Sequence, residues 1–569
     1  MRFTWFVLLC LALPAVAQVV VPGSTPPGTG QPATIPPPQP TRPEDICTLE
    51  GQVVNSLTGE PLKKAQIIAQ GGPNNSSHGA VSDAGGRFVI ESLDPGQYSL
   101  SAERNGFVDF RYGSHGPNHQ GAPLVLDPGQ HRRDLVFRMI PQGVITGKVV
   151  DEDGEPVEGA QISAMRYMYI RGKRQMASPG SSSTDDQGEY RIFGLEPGKY
   201  YLSASYRTSN GMGVVQDRKP TAEASQGYAP TYFPGTNDPT AATPVQLTAG
   251  SVLGSIDIKL RKTRTVRIRG HIVNPDGAES TMFAFVTLMP KDSLLFNNAA
   301  RGSTRARDGA FEIRDVVPGS YVLVARWQGE NARRMVRQNL DVGNSNLDDL
   351  NLVPAPPVIL KGQVRAEGSA EVNLAAIQVL LSGRGPVFTG NSFSPVANDG
   401  SLTFENVNAD SYSLIVRGLP PGYFVKSARF GDADVLESGL DLTRGGAGML
   451  DILINPNGGQ IDGSVADPRG QMAPGAAVVL VPDSKHREHE ELFQHAMTDT
   501  SGHFTMKGVT PGDYKLFAWE EVEAGAYLNP EFLEPYENQG ESVTIREGAR
   551  ENVQLKVIPA DATPNNSGR

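Results

Sequence analysis

Cysteine is almost missing: Cys10 and Cys47 are the only two in 569 residues. So few exclude a disulfide-stapled scaffold and a cysteine-built zinc site. Positive charge is not in excess, since 51 Lys and Arg face 62 Asp and Glu for a formal net charge of −11. The basic stripe of a nucleic-acid binder is therefore not expected. Beyond the first residues no apolar run approaches the roughly 20 residues that a membrane-spanning helix needs. Glycine and proline, by contrast, number 63 and 44, roughly a fifth of the chain where about 12% is ordinary. They are spread along the whole length between hydrophobic runs, so they read as many tight turns. Length alone suggests about four to five domains.

The chain starts with Met1-Arg2, an apolar run from Phe3 to Leu13, and the small-x-small pair Ala15 and Ala17. One positive charge, a short apolar stretch and small residues describe a secretory signal over 1–17, cut after Ala17. The mature chain is then exported to the periplasm, the outer surface or the medium, and Cys47 becomes its sole cysteine. Residues 18–44, as in Thr25-Pro26-Pro27-Gly28 and Ile35-Pro36-Pro37-Pro38, form a proline-rich spacer with too little apolar surface to offset ordering entropy. Residues 559–569 read as a tail of the same kind.

The body between them repeats. Asp83-Ala84-Gly85-Gly86-Arg87-Phe88-Val89-Ile90 with Leu93-Asp94-Pro95-Gly96-Gln97-Tyr98-Ser99-Leu100 returns as Asp185-Asp186-Gln187-Gly188-Glu189-Tyr190 with Leu195-Glu196-Pro197-Gly198-Lys199-Tyr200. It returns again as Asp308-Gly309-Ala310-Phe311 with Val317-Pro318-Gly319-Ser320-Tyr321, and as Asp499-Thr500-Ser501-Gly502-His503-Phe504 with Thr510-Pro511-Gly512-Asp513-Tyr514. A fourth copy is eroded: Asp399-Gly400 survives, but Ala409-Asp410 replaces Pro-Gly before Tyr412. A period of about one small domain means tandem domains, since solenoid repeats run only about 20–50 residues. Each copy opens on a Gly-x-Val type strand (Gly51, Gly147, Gly270, Gly362, Gly463) and closes on an alternating one such as Val553-Gln554-Leu555-Lys556-Val557.

Asp-x-x-Gly combines a side chain that bonds its own backbone with a residue tolerant of positive φ, which makes a tight turn. Pro-Gly fits the centre of a type II turn. The Tyr that follows begins a strand facing a core, and its hydroxyl can return to the adjacent loop as in a tyrosine corner. The fold expected is all-β, five tandem antiparallel Ig-like or transthyretin-like sandwiches at 45–142, 143–265, 266–357, 358–458 and 459–558. Short connections, as at Ile140-Pro141-Gln142-Gly143, predict a semi-rigid string of domains.

The Gly-x-Val opening, Asp153-Gly154-Glu155-Pro156-Val157-Glu158-Gly159-Ala160, the Asp-x-x-Gly-x-Phe turn and Leu-x-Pro-Gly-x-Tyr-x-Leu together resemble the carboxypeptidase regulatory-like domains of exported bacterial proteins. The resemblance implies a prealbumin-like sandwich close to the carbohydrate-binding-like fold, and an appended binding or spacing role rather than catalysis.

No nucleophile elbow or phosphate-cradling loop is found, so no catalytic residue, metal ligand or cofactor is assigned. His486, His489 and His495 are separated by three, six and nine residues, which is not zincin spacing. They read as a solvated loop or short helix. Asp151-Glu152-Asp153-Gly154-Glu155 opens like a calcium loop but lacks the later ligands, and reads as a turn. In the last repeat, period two points Leu516 and Ala518 inward and Phe517 and Trp519 outward. Two readings follow for the insert 520–541. It packs over these aromatics as a satellite core, or Trp519, Tyr527 and Tyr536 form a ligand-binding platform with Glu520, Glu521 and Glu523 as polar contacts. The function expected is non-enzymatic binding of a polysaccharide or a cell-surface protein, with no nucleic acid and no membrane span. The alternative is a structural spacer or adhesin stalk making protein–protein contacts.

Overall fold

Alternation of apolar and polar side chains dictates the strands. In Arg87–Leu93, Phe88 and Ile90 are buried while Arg87, Val89 and Glu91 face solvent; in Gly96–Glu103, Tyr98, Leu100 and Ala102 are buried. A computed structural model of the chain describes residues 42–114, 121–206, 226–273, 284–291, 300–304, 309–328, 333–368, 372–384, 391–443, 445 and 448–560. The expected signal 1–17, nearly all of the spacer, Asp308 and residues 561–569 lie outside them.

Each repeat folds into two facing sheets. In the first, one sheet has the order Arg87–Leu93, Cys47–Asn55, His131–Met139; the other has Ser76–Val81, Gln66–Gly71, Gly96–Glu103, flanked by Phe110–Arg111 and Leu124–Leu126. The last repeat matches it with His503–Val509, Gly459–Ala466, Arg550–Lys556 facing Gln494–Met497, Ala477–Pro482, Gly512–Trp519, Glu541–Ile545. Most pairs are antiparallel, as expected. The opening strand of each repeat is the exception, pairing in parallel with the closing segment: Cys47–Asn55 runs parallel to His131–Met139, and Gly459–Ala466 parallel to Arg550–Lys556. The closing strand reaches the first sheet after crossing over from the second, which is the route a parallel partner requires.

Separate apolar clusters fill the spaces between facing sheets, and each takes in its repeat's tyrosine: Tyr98, Tyr200, Tyr412 and Tyr514 are buried, and Tyr321 packs half-buried. Every one of the five hydroxyls donates to the carbonyl four residues back, at 2.6–2.9 Å: Asp94, Glu196, Val317, Asn408 and Thr510. The turn carboxylates work as expected too. Asp83 Oδ1 accepts from the N–H groups of Gly85 and Arg87, both at 2.8 Å, and Asp499 from Ser501 and His503 at 2.8 and 2.9 Å. Asp151 does the same with Asp153 and Glu155, so the calcium-loop look-alike is a capped turn.

A further shared feature lies between turn and tyrosine. Ser92, Gly194, Asp315, Asn406 and Gly508 all have φ between 57° and 76°. The pairing register slips in each of the five ladders that these residues interrupt. A left-handed residue at a bulge reverses the alternation, which turns Leu93, Leu195, Val316, Val407 and Val509 into the cores.

The eroded fourth motif has a physical reason. Asp410, standing where the other repeats have glycine, is 4% exposed and accepts from Arg337 of the third repeat at 3.0 Å. The fourth repeat also adds Phe424–Phe430 beside Met449–Asn455. Among the described residues the helices are single turns, and none is long and apolar enough to cross a membrane.

Candidate ligand cleft and the aromatic insert

The added strand of the fourth repeat sits beside the fifth. Lys426 Nζ on that strand lies 3.3 Å from Glu547 of the fifth repeat and 2.8 Å from Glu367 of its own. That lysine, with Asn455, holds the Glu367 carboxyl below the usual range. Between the two repeats opens a cleft of about 730 Å³, a size suited to a small ligand. Its apolar wall is Leu419, Pro420, Pro421, Tyr423 and Leu436 from the fourth repeat. The opposite wall comes from the histidine-bearing loop: Asp483, His486, His489, Glu491, Leu492 and Gln494, with Lys507 and Asp513 beyond.

The two imidazoles are each set against a carboxylate. His486 Nδ1 is 2.7 Å from Asp483 Oδ1, and His489 Nδ1 is 3.2 Å from Glu491 Oε1, with ring centroids 6.2 Å apart. Desolvation works against the Asp483 charge. The contact with His486 and the Lys485 N–H outweigh it, so the carboxyl stays below its ordinary range. The loop turns as Glu490–Leu492, a single 3-10 turn, not the long helix a zincin pair requires. Among the described residues no group of three or more His, Cys, Asp or Glu is placed to share a metal ion. The cleft lining holds neither serine nor cysteine; its hydroxyls are those of Thr510, Tyr423 and Tyr514. What it offers is hydrogen bonding in both directions beside proline, leucine and tyrosine surface.

Trp519, Tyr527 and Tyr536 are brought together elsewhere. Leu516 and Ala518 enter the fifth core, while Phe517 and Trp519 leave it for a second cluster with Leu533, Tyr536 and Ile558, against which Tyr527 and Phe532 pack. Phe517 stacks on Trp519 at 5.2 Å and Tyr536 meets the indole edge-on at 5.7 Å. Trp519 is 0% and Tyr536 1% exposed, so neither ring presents a face to a ligand while the insert is in place. Burial pushes the Tyr536 phenol up to about 12. The packing matches the satellite-core reading; stacking a sugar on Trp519 would require the insert to lift.

The outer side of that insert carries a contact the sequence did not announce. Gln161–Ile170 and Lys173–Ser183 of the second repeat form a hairpin whose two-residue turn is Arg171-Gly172, with φ of 49° and 68°. Positive φ at both positions is the hairpin-compatible mirror turn, normally taken by Asn-Gly. The Tyr169 ring meets Phe532 edge-on at 5.8 Å, and the Tyr169 N–H donates to Glu523 at 3.2 Å. Asn529 Nδ2 donates to the Gly172 carbonyl at 2.8 Å. Arg171 donates to the Gly383 carbonyl and Ser382 Oγ of the fourth repeat at 3.1 and 2.9 Å. The second repeat thus touches the fourth and fifth, so contacts between the repeats are not confined to the short connections. Such pairs have no local signature, because their partners lie more than two hundred residues apart. The cleft was equally hidden: of its two walls, only the histidine loop stands out in the sequence.

Residues 48–139 and 144–222 match the carboxypeptidase regulatory-like domain family. No curated protein matches the chain in sequence. Among solved structures, the Bacillus anthracis TIE protein is similar at 14% identity over 54% of this chain and 50% of that one, with a TM-score of 0.16; the chain thus spans half the length of that protein. The minor pilin GBS52 of Streptococcus agalactiae is 14% identical over 38% of this chain and 96% of its own, TM-score 0.21. The RrgB pilus protein of Streptococcus pneumoniae is 10% identical over 73% and 98%, TM-score 0.15. The repeated turns and tyrosine tethers run through five β-sandwich repeats, and the match to the carboxypeptidase regulatory-like domain family falls on the first two, over 48–139 and 144–222.

Proposed function

We propose that this is an exported, non-enzymatic binding protein whose sandwiches, bounded as 45–142, 143–265, 266–357, 358–458 and 459–558, present a cleft for a cell-surface polysaccharide. The cleft between the last two repeats carries the reading. It sets Tyr423 and two prolines, on which a sugar ring can rest, opposite imidazole, carboxylate and amide groups that bond hydroxyls. Retention of the secreted chain on insoluble polysaccharides, backed by a glycan array, is the test. Wild-type retention lost in Tyr423→Ala and in His489→Ala supports the cleft; no retention on any glycan overturns it. Loss in Trp519→Phe with retention in Tyr423→Ala would instead place binding at Trp519, Tyr527 and Tyr536.

A spacer role with protein partners is the second reading, favoured by one observation. Phe393, on the outer strand Asn391–Pro395, is 73% exposed, and an exposed strand edge is a template for another chain.

A further inference from the structure

We infer that the Arg171-Gly172 turn of the second repeat is a clasp that fixes the fourth and fifth repeats against each other and so sets the width of the cleft between them. The inference rests on the cleft reading for its functional meaning, but its contacts stand independently. One turn reaches both repeats: Arg171 holds Ser382 and Gly383 of the fourth, while the Gly172 carbonyl, the Tyr169 N–H and the Tyr169 ring hold Asn529, Glu523 and Phe532 of the fifth. Arg171 stands with φ at 49°, a conformation in which asparagine or glycine is the ordinary choice. A long cationic side chain at such a position points to a role for the guanidinium that the turn itself does not need. Its charge also acts on Glu490, whose carboxyl burial otherwise pushes up. Glu490 lies in the single turn between His489 and Glu491, the two residues that line the cleft on either side of it. The clasp therefore touches the fourth repeat, the insert of the fifth and the electrostatics of the histidine loop at once. Arg171 and Asn529 are positioning residues: they act on the cleft through the segments they hold.

Two substitutions separate the clasp from the folding of its parts. Arg171→Asn removes the guanidinium but favours the same turn. Asn529→Asp removes the donor to Gly172 yet keeps an oxygen to accept from the Phe532 N–H, so the helix cap survives. Amide hydrogen exchange on the full secreted chain, without ligand, is the primary measurement. The double variant should exchange about tenfold faster or more in 165–175, 378–384 and 523–537, with the tyrosine-bearing strand 96–103 unchanged. Unchanged exchange in those three segments overturns the clasp. Should the double variant fail to fold, the same comparison is made on each single variant. Polysaccharide affinity is measured in parallel on any glycan that retains the wild type, and the variant should bind it at least about fivefold more weakly. Faster exchange with unchanged affinity overturns the coupling to the cleft. Absence of any bound glycan removes the cleft reading while leaving the exchange result to decide the clasp.

Discussion

The phenol of Tyr98 donates to the carbonyl of Asp94 at 2.9 Å, closing a loop over the Pro95-Gly96 turn. The ring below it is wholly buried among Leu49, Ile67 and Leu93. One side chain therefore does two things: it fills the core where the second sheet begins, and it ties down the turn that delivers it. Tyr98→Phe removes only the tie, at a cost of about 0.5–1.5 kcal/mol. Tyr98→Ala also empties the core and should cost about 3–5 kcal/mol. A chain with several cores does not unfold in one step, so the comparison belongs to hydrogen exchange in residues 87–103. Equal losses for the two variants would show that the tie, not the ring, holds the repeat together.

Arg337 and Asp410 join the third repeat to the fourth at 3.0 Å, with the carboxylate nearly buried and the guanidinium about a third exposed. Removing one partner of a buried pair costs about 3–5 kcal/mol because the other charge is left unpaired. With Arg337 partly in water, Arg337→Ala should cost about 2–3 kcal/mol by the same reasoning. Asp410→Gly, which restores the glycine of the other copies, should rescue most of that loss in the double variant. A double-mutant cycle followed by hydrogen exchange in 333–342 and 411–417 gives the coupling. A purely additive cycle would remove the ion pair as the reason for the eroded motif.

Much of the fold was legible in the sequence because its signals are local. Asp83 caps its own turn, Tyr98 follows its own Pro-Gly, and the alternation of Phe88 and Ile90 needs no distant partner. The outward direction of Phe517 and Trp519 followed from period two alone. The features that were missed depend on pairs. The parallel closing strand 550–556 is set by a crossover, Asp410 by an arginine of another repeat, and the cleft by two walls contributed by different repeats. The insert 520–541 was legible only as two alternatives, since hydrophobic residues among glutamates fit both a lid and a platform.

Alkaline pH should loosen the cores in a defined window. Burial, with the Asp410 charge adding to it, pushes the Tyr412 phenol up to about 12, against about 10 for an unfolded chain. Burial moves Tyr98, Tyr200, Tyr321 and Tyr514 in the same direction. Below about pH 10 both states keep the proton, so this contribution is fully present. Above it the unfolded chain releases the proton while the folded one retains it, so stability falls until the folded phenol titrates near pH 12. Tyrosinate absorbance should therefore lag behind that of the urea-unfolded chain. Exchange at 411–417 should rise between those limits, and less so in Tyr412→Phe. Coincident titration of the folded and unfolded chains would refute the burial argument.

The left-handed position before each inward Leu or Val gives a test that crosses repeats. It is Gly194 in the second and Gly508 in the fifth, but Ser92 in the first, where φ is 63°. A non-glycine residue in this region costs about 1–2 kcal/mol, while glycine costs about 0.5–1 kcal/mol in backbone entropy elsewhere in a strand. Ser92→Gly should then stabilise the first repeat by about 0.5–1 kcal/mol, the difference between the two. The reverse change argues the same point: Gly194→Val places a β-branched side chain where its φ of 76° is strongly disfavoured. An added Cβ at Gly194 meets no atom nearer than 3.8 Å, so a loss that Gly194→Ala shares comes from the backbone and not from a clash. Urea unfolding monitored by exchange in 87–103 and 189–205 reads these variants. If Ser92→Gly destabilises, the serine is held by something other than the bulge, and the register slip opposite Leu49 must have another origin.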